Sequence, residues 1–200
     1  MKWSIVGISA ALLIIVLTWF FVESSKTPPG NKIADLGRQH VPIGEKVDYN
    51  SNPPTSGSHY ADWIRSGVYS EPKEDGFLVH SLEHGYVIMS YNCGRKLTLI
   101  PEVFAHGLDE SVFEATESAT ASALPNTFNS EDCHKLVDQL TSVFEKKGKL
   151  RLIVVPRPNL DSKIALTAWN YLDKLDDFDE QRIINFIDAY LNQGPEKTME

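Results

Sequence analysis

Residues 78–91 read Leu78-Val79-His80-Ser81-Leu82-Glu83-His84-Gly85-Tyr86-Val87-Ile88-Met89-Ser90-Tyr91. Tyr86 to Tyr91 is an apolar run of strand length, which predicts a buried strand. The part before it carries two histidines four apart with a glutamate between them. Gly85 follows where a glycine ends a helical turn. In an extended chain four residues span roughly 13 Å, too far for two imidazoles to share one ligand. In a helical turn the same residues are about 6 Å apart along the axis and lie on one face. A common site for His80 and His84 therefore requires a turn of helix or a tight bend directly before the strand.

The neighbouring sequence extends this pattern in both directions. Val41-Pro42, Asn52-Pro53-Pro54 and Glu71-Pro72 block long helices, so residues 33–100 read as short strands and loops. Lys96 to Ile100 is the expected hairpin partner of the Tyr86 strand, across the turn-rich Asn92-Cys93-Gly94-Arg95. Residues 102–148 turn helical. Ser130 is a candidate cap, Leu136, Val137, Leu140, Val143 and Phe144 form an apolar stripe, and Lys146-Lys147-Gly148 supplies a basic end and a stop. Leu150 to Val155 is a strand ended by Pro156 and Pro158, and Ile164 to Trp169 is another. In the last helix Asp177 and Glu180 have capping-box spacing, Ile183, Ile184, Ile187, Tyr190 and Leu191 share a face, and Gly194-Pro195 stops it. Strands, then helices, then strands without regular alternation predict an α+β domain of short antiparallel strands packed with C-terminal helices.

The 200 residues allow one compact domain plus an appendage. With 42% hydrophobic and 23% charged residues the chain is too apolar to be disordered. Nineteen Lys and Arg against 27 Asp and Glu, a net charge of −8, argue against a nucleic-acid partner, which needs a basic surplus. Without a Walker loop, a Rossmann glycine pattern or a G-x-S-x-G elbow, no nucleotide cofactor or common hydrolase chemistry is expected.

The apolar residues are concentrated at the amino terminus. Trp3 to Val22 contains no charged residue, and 20 residues of helix span roughly 30 Å, the thickness of a bilayer core. Lys2 precedes the run, and Trp3, Trp19, Phe20 and Phe21 lie towards its ends, as in an aromatic belt. A cleaved signal peptide has a shorter apolar core, about 7–15 residues, and a small-residue cleavage site that is not evident after Phe21. Residues 1–22 are therefore expected to be a transmembrane signal anchor that contacts the membrane through residues 3–22. Residues 23–32 then form a linker, 33–196 an extracytoplasmic domain and 197–200 a tail. With Lys2 inside, the rest faces the periplasm or the exterior. Beyond residue 26 the charge is −9, so the helix and not surface charge provides the tether.

In that oxidising compartment Cys93 and Cys133 are expected to form a disulfide. Copper(I) ligation by the two thiolates is the alternative. His80 and His84 make half of a metal site, since zinc takes four ligands, or three and a water. His59, in the rigid loop Asn52-Pro53-Pro54-Thr55-Ser56-Gly57-Ser58-His59-Tyr60, is the natural third ligand, and Glu83 or Met89 can complete the set. Neutral imidazoles suit copper and zinc alike. The string His80-x-x-Glu83-His84 also matches the inverted zinc-protease motif with Glu83 as base, but its context lacks the long helix and Gly76 reads as exposed. A purely structural set of histidines, hydrogen-bonded to buried backbone, is the remaining reading. His40, His106 and His134 read as surface or capping residues.

The Asn52–Tyr60 motif, Gly67-Val68-Tyr69 and Val79–Val87 resemble an uncharacterised bacterial family, domain of unknown function 3105. Leu166-Thr167-Ala168-Trp169, Phe186–Tyr190 and Gly194-Pro195-Glu196 are similar to it as well, so the likeness spans about residues 33–196. Ser58 stands where proline is expected in many relatives. The resemblance implies an exported or membrane-anchored protein and groups His59, His80, Glu83 and His84 in one site, without naming a reaction. The residues thus predict a membrane-anchored, metal-binding domain. A metal-dependent enzyme with Glu83 as base and a metal-free cell-envelope interaction module are the competing functions. No particular protein partner is indicated.

Overall fold

The structure is a computed structural model that describes residues 13, 14, 17, 18, 28–94 and 124–198. Six strands form one sheet: β1 (Asn31–Lys32), β2 (Gly67–Val68), β3 (Val87–Tyr91), β4 (Leu152–Pro156), β5 (Ile164–Ala168) and β6 (Tyr171–Leu175). Among the described residues three α-helices accompany the sheet: α1 (Asp75–Glu83), α2 (Glu131–Lys146) and α3 (Glu180–Tyr190). The sheet order is β1-β6-β5-β3-β4-β2.

The α+β class holds, but the sheet is mixed rather than antiparallel. β3 and β4 run parallel in the register Val87↔Leu152, and β2 pairs parallel with β4, whereas β5 is antiparallel to both β3 and β6. Parallel neighbours need a long crossover, and the segment between β3 and β4, which contains α2, supplies it. The antiparallel neighbour of β3 is therefore β5, while the expected partner strand 96–100 lies outside the described residues, as do residues 102–123. β6 was not expected from the sequence. Its charged Asp173 and Lys174 mask the pattern, and a two-residue turn, Trp169-Asn170, joins it to β5. Asn170 takes φ 64°, a left-handed conformation that asparagine tolerates.

Alternation along the central strands divides the core into two faces. Val87, Met89, Tyr91, Leu152 and Val154 face α2 and α3, where they meet Leu136, Leu140, Val143, Ile183, Phe186 and Ile187. Ile88, Ile153 and Val155 face the other way, against Leu78 and Leu82 of α1. Both faces are covered, which is why all five residues of β3 are buried.

The helix ends follow local chemistry. Ser130 Oγ accepts from Cys133 N and caps α2. The cap of α3 is Asp179, which accepts from Arg182 N, and not Asp177 as its spacing suggested. α1 ends at Gly85, whose φ of 85° closes to other residues. The Cys93–Cys133 disulfide forms with a Cα–Cα distance of 5.4 Å and ties the end of β3 to the first turn of α2.

The segment expected as linker is partly structured: Asn31 and Lys32 pair with Leu172 and Tyr171, and Tyr190 Oη donates to Pro29 O at 2.8 Å. The expected tail is also docked as far as Thr198, whose oxygens accept from Arg151. The anchor, residues 1–22, lies outside the described residues apart from Leu13, Ile14, Leu17 and Thr18, which are helical, and Thr18 Oγ1 donates to Ile14 O. Among the described residues no helix is long and apolar enough to cross a membrane.

Candidate metal centre

α1 is a nine-residue helix, and it gives the His80/His84 spacing the meaning the sequence required. The two Nε2 atoms lie 3.0 Å apart, with ring centroids 4.5 Å apart. His80 Nδ1 donates to Tyr60 O at 2.8 Å, which leaves Nε2 as its lone-pair atom. That contact depends on Gly76, which is buried rather than exposed. A Cβ there would stand 2.6 Å from the Tyr60 ring, so only glycine lets the Tyr60 loop lie against the helix. Burial, reinforced by the neighbouring His84, holds the His80 imidazole below its ordinary pKa and favours the neutral form that ligates metals.

The Asn52–Tyr60 loop brings His59 to the same place. Arg157 holds both sides of it: Nε donates to Asn52 Oδ1 at 2.7 Å, while Nη2 donates to Asp75 Oδ2 at 3.0 Å, at the start of α1. The Asn52–Pro53 peptide is cis. His59 is fully buried, and its Nδ1 donates to Gly57 O at 2.8 Å. Its Nε2 points at Glu83 Oε2, 2.8 Å away. With Nδ1 carrying the proton, Nε2 offers a lone pair, and a carboxylate oxygen offers another. The two atoms are buried, and neither has a hydrogen-bond partner. Two buried acceptors this close repel each other unless a proton or a metal ion lies between them. Two atoms bound to one ion at about 2.0–2.1 Å are themselves roughly 2.9–3.4 Å apart, so the 3.0 Å His80–His84 contact has ligand-pair spacing and the 2.8 Å His59–Glu83 contact falls just short of it.

Two further residues belong to the cluster. His40, read from the sequence as a surface residue, forms a parallel bridge with His59: Val41 N donates to His59 O and His59 N to Gln39 O. Its ring stands 4.9 Å from His59 and 5.0 Å from His80. Ligand atoms of His40, His59, His80 and Glu83 all lie within 4.8 Å of one another. Those of His80, His84 and Glu196 do so as well, with His84 Nε2 3.6 Å from Glu196 Oε2. Arg38, 58% exposed, places Nη1 3.6 Å from Glu83 Oε1. Trp63 covers the cluster, its ring 4.8 Å from His84 and 5.5 Å from His80.

His59, His80, Glu83 and His84 thus come together as the motifs suggested. Met89 does not join them. It lies on the opposite face of β3, buried among Val87, Val154 and Leu166 of the main core, because odd and even strand positions face opposite ways. The cysteines are committed to their disulfide, which removes them as copper ligands. His134 is exposed on α2, and His106 lies outside the described residues. The long helix of the inverted zinc-protease motif is absent here: α1 is nine residues long, His84 caps it, and Glu83 Oε2 lies 2.8 Å from His59 Nε2. The sequence signal for His40 is slight, a lone histidine before Val41-Pro42. Glu196 had a better one, in the ending Gly194-Pro195-Glu196.

No curated protein and no solved structure matches the chain. A family model does match, over residues 40–103 and 124–200, and the chain belongs to the family described as Protein of unknown function (DUF3105).

Proposed function

We propose that this protein is a membrane-tethered, extracytoplasmic domain that binds a transition metal, copper or zinc, through His59, His80, His84 and Glu83, with His40 beside them. One observation carries the reading: His59 Nε2 and Glu83 Oε2 face each other at 2.8 Å, both buried and both acceptors. A metal cation bound by both atoms satisfies them together. The donors fit, since neutral imidazoles and a carboxylate suit copper and zinc. The second ring nitrogens of His59 and His80 are already held by the carbonyls of Gly57 and Tyr60, the outer hydrogen bonding that orients ligating histidines. The disulfide accords with an oxidising compartment. The helical Leu13, Ile14 and Leu17, each more than half exposed, accord with an anchor.

The test is metal analysis of the full chain, solubilised in mild detergent, stripped with a chelator and reloaded with zinc or copper. Wild-type protein retains metal through gel filtration and melts at a higher temperature when loaded. His59→Ala and His80→Ala each retain less metal and gain less stability on loading than wild type. Wild-type protein that neither retains metal nor gains stability would overturn the reading.

A further inference from the structure

Six donor residues converge on the cluster, more than one zinc or copper ion takes from a protein. Resting on the metal-binding reading, we infer that the site holds two ions. His40, His59 and Glu83 bind the first, and His80, His84 and Glu196 bind the second.

The donor atoms divide this way for a chemical reason. His80 belongs to both groups of converging ligands, yet its Nδ1 is engaged by Tyr60 O. It offers one lone pair, on Nε2, and so binds one ion at a time. That Nε2 lies 3.0 Å from His84 Nε2, which places it with His84. His59, with its 2.8 Å contact to Glu83, belongs to the other ion. Each group then has two imidazoles and one carboxylate, three protein ligands with room for a water, the donor set of a reactive rather than a closed zinc site. Each carboxylate also offsets part of the charge of its own ion.

Glu196 is a built part of the site and not a stray tail residue. Its backbone N donates to Glu83 O at 3.1 Å, and Asn192 N donates to Gly85 O at 2.8 Å, so the two carboxylates ride on paired backbone. The approach is so close that a Cβ on Gly194 would fall 2.2 Å from Glu83 O. Arg151 fastens the same segment, donating to His84 O, to Asn192 Oδ1 and to Thr198. His80 lies within 4.8 Å of the ligand atoms of the first group, which places the two positions side by side. Ions in paired sites of this kind sit about 3.5–4 Å apart and clamp a bridging water or an oxyanion between them. Arg38, beside Glu83 and largely exposed, is placed to meet such an anion.

The experiment counts ions. Full chain in mild detergent is stripped, reloaded with cobalt(II) or zinc, passed through gel filtration and assayed for metal per chain. The expected result is two per wild-type chain, and one for Glu196→Gln and for His84→Ala. Glu196 is 45% exposed at its side chain, so its substitution leaves the fold intact, as an unchanged circular-dichroism spectrum would verify. One ion per wild-type chain would overturn the two-ion site and leave the one-ion reading standing. None would overturn both. Two ions retained by both variants would overturn the assignment of Glu196 and His84.

Discussion

His59 Nε2 and Glu83 Oε2 lie 2.8 Å apart in the interior, and neither makes a hydrogen bond. With no proton or metal ion between them, this contact destabilises the metal-free fold. Replacing Glu83 with glutamine turns one acceptor into a donor. Metal-free Glu83→Gln is therefore expected to be more stable than metal-free wild type by about 1 kcal/mol, or roughly 2–4 °C in Tm. The same change removes a charged ligand and lowers metal affinity at least tenfold. Thermal melts with and without zinc measure both. A less stable metal-free variant would mean that His59 is an imidazolium paired with Glu83.

Arg38 places its guanidinium 3.6 Å from the other Glu83 oxygen and remains largely exposed. Its positive charge opposes a cation at Glu83, weakly because solvent screens it. Arg38→Ala should raise metal affinity a few-fold, an effect that shrinks in high salt. Competition titrations against a chelator at two ionic strengths give the comparison, and a fall in affinity would contradict it.

The disulfide between Cys93 and Cys133 closes a loop with a sequence separation of 40 on the α2 side of the sheet, away from the histidines. Loop-closure reasoning assigns it about 3–4 kcal/mol. The double variant Cys93→Ser/Cys133→Ser should lose that much in denaturant unfolding while keeping its metal stoichiometry. A loss of bound metal would show that the two faces of the sheet are coupled.

Tyrosines at the edges of the core predict an alkaline limit. Burial raises Tyr49, Tyr69 and Tyr91 above their ordinary value and pushes Tyr190 up to about 12. The folded state therefore favours the neutral phenol. Its contribution is complete below pH 10, the unfolded value, and is lost as pH rises from 10 towards 12. Stability measured across that range should fall, and less steeply in Tyr190→Phe. That variant also gives up the hydrogen bond to Pro29 O.

Some of the fold and site could be read from the chain directly because the information is local. The spacing of His80 and His84, with Gly85 after them, allows a shared site only in a helical turn or a tight bend, and the turn of α1 brings their Nε2 atoms together. Buried β3, the stripe of α2, its Ser130 cap and the pairing of the lone two cysteines follow from period, capping chemistry and arithmetic. The parallel pairing of β3 with β4 and the charged strand β6 were decided by tertiary packing, which overrides a weak local pattern. So was the fate of Met89, since no local rule says which face of a strand will meet the site. His40 and Glu196 were also placed by tertiary structure: one is 19 residues before His59, the other 113 after Glu83, and each arrives through backbone hydrogen bonds between distant segments. The sequence by itself therefore determined only that His80 and His84 would share a site if they lay on one turn. Only the folded chain, by pinning its C-terminal segment against Glu83 and Gly85, decided that a second carboxylate would face them.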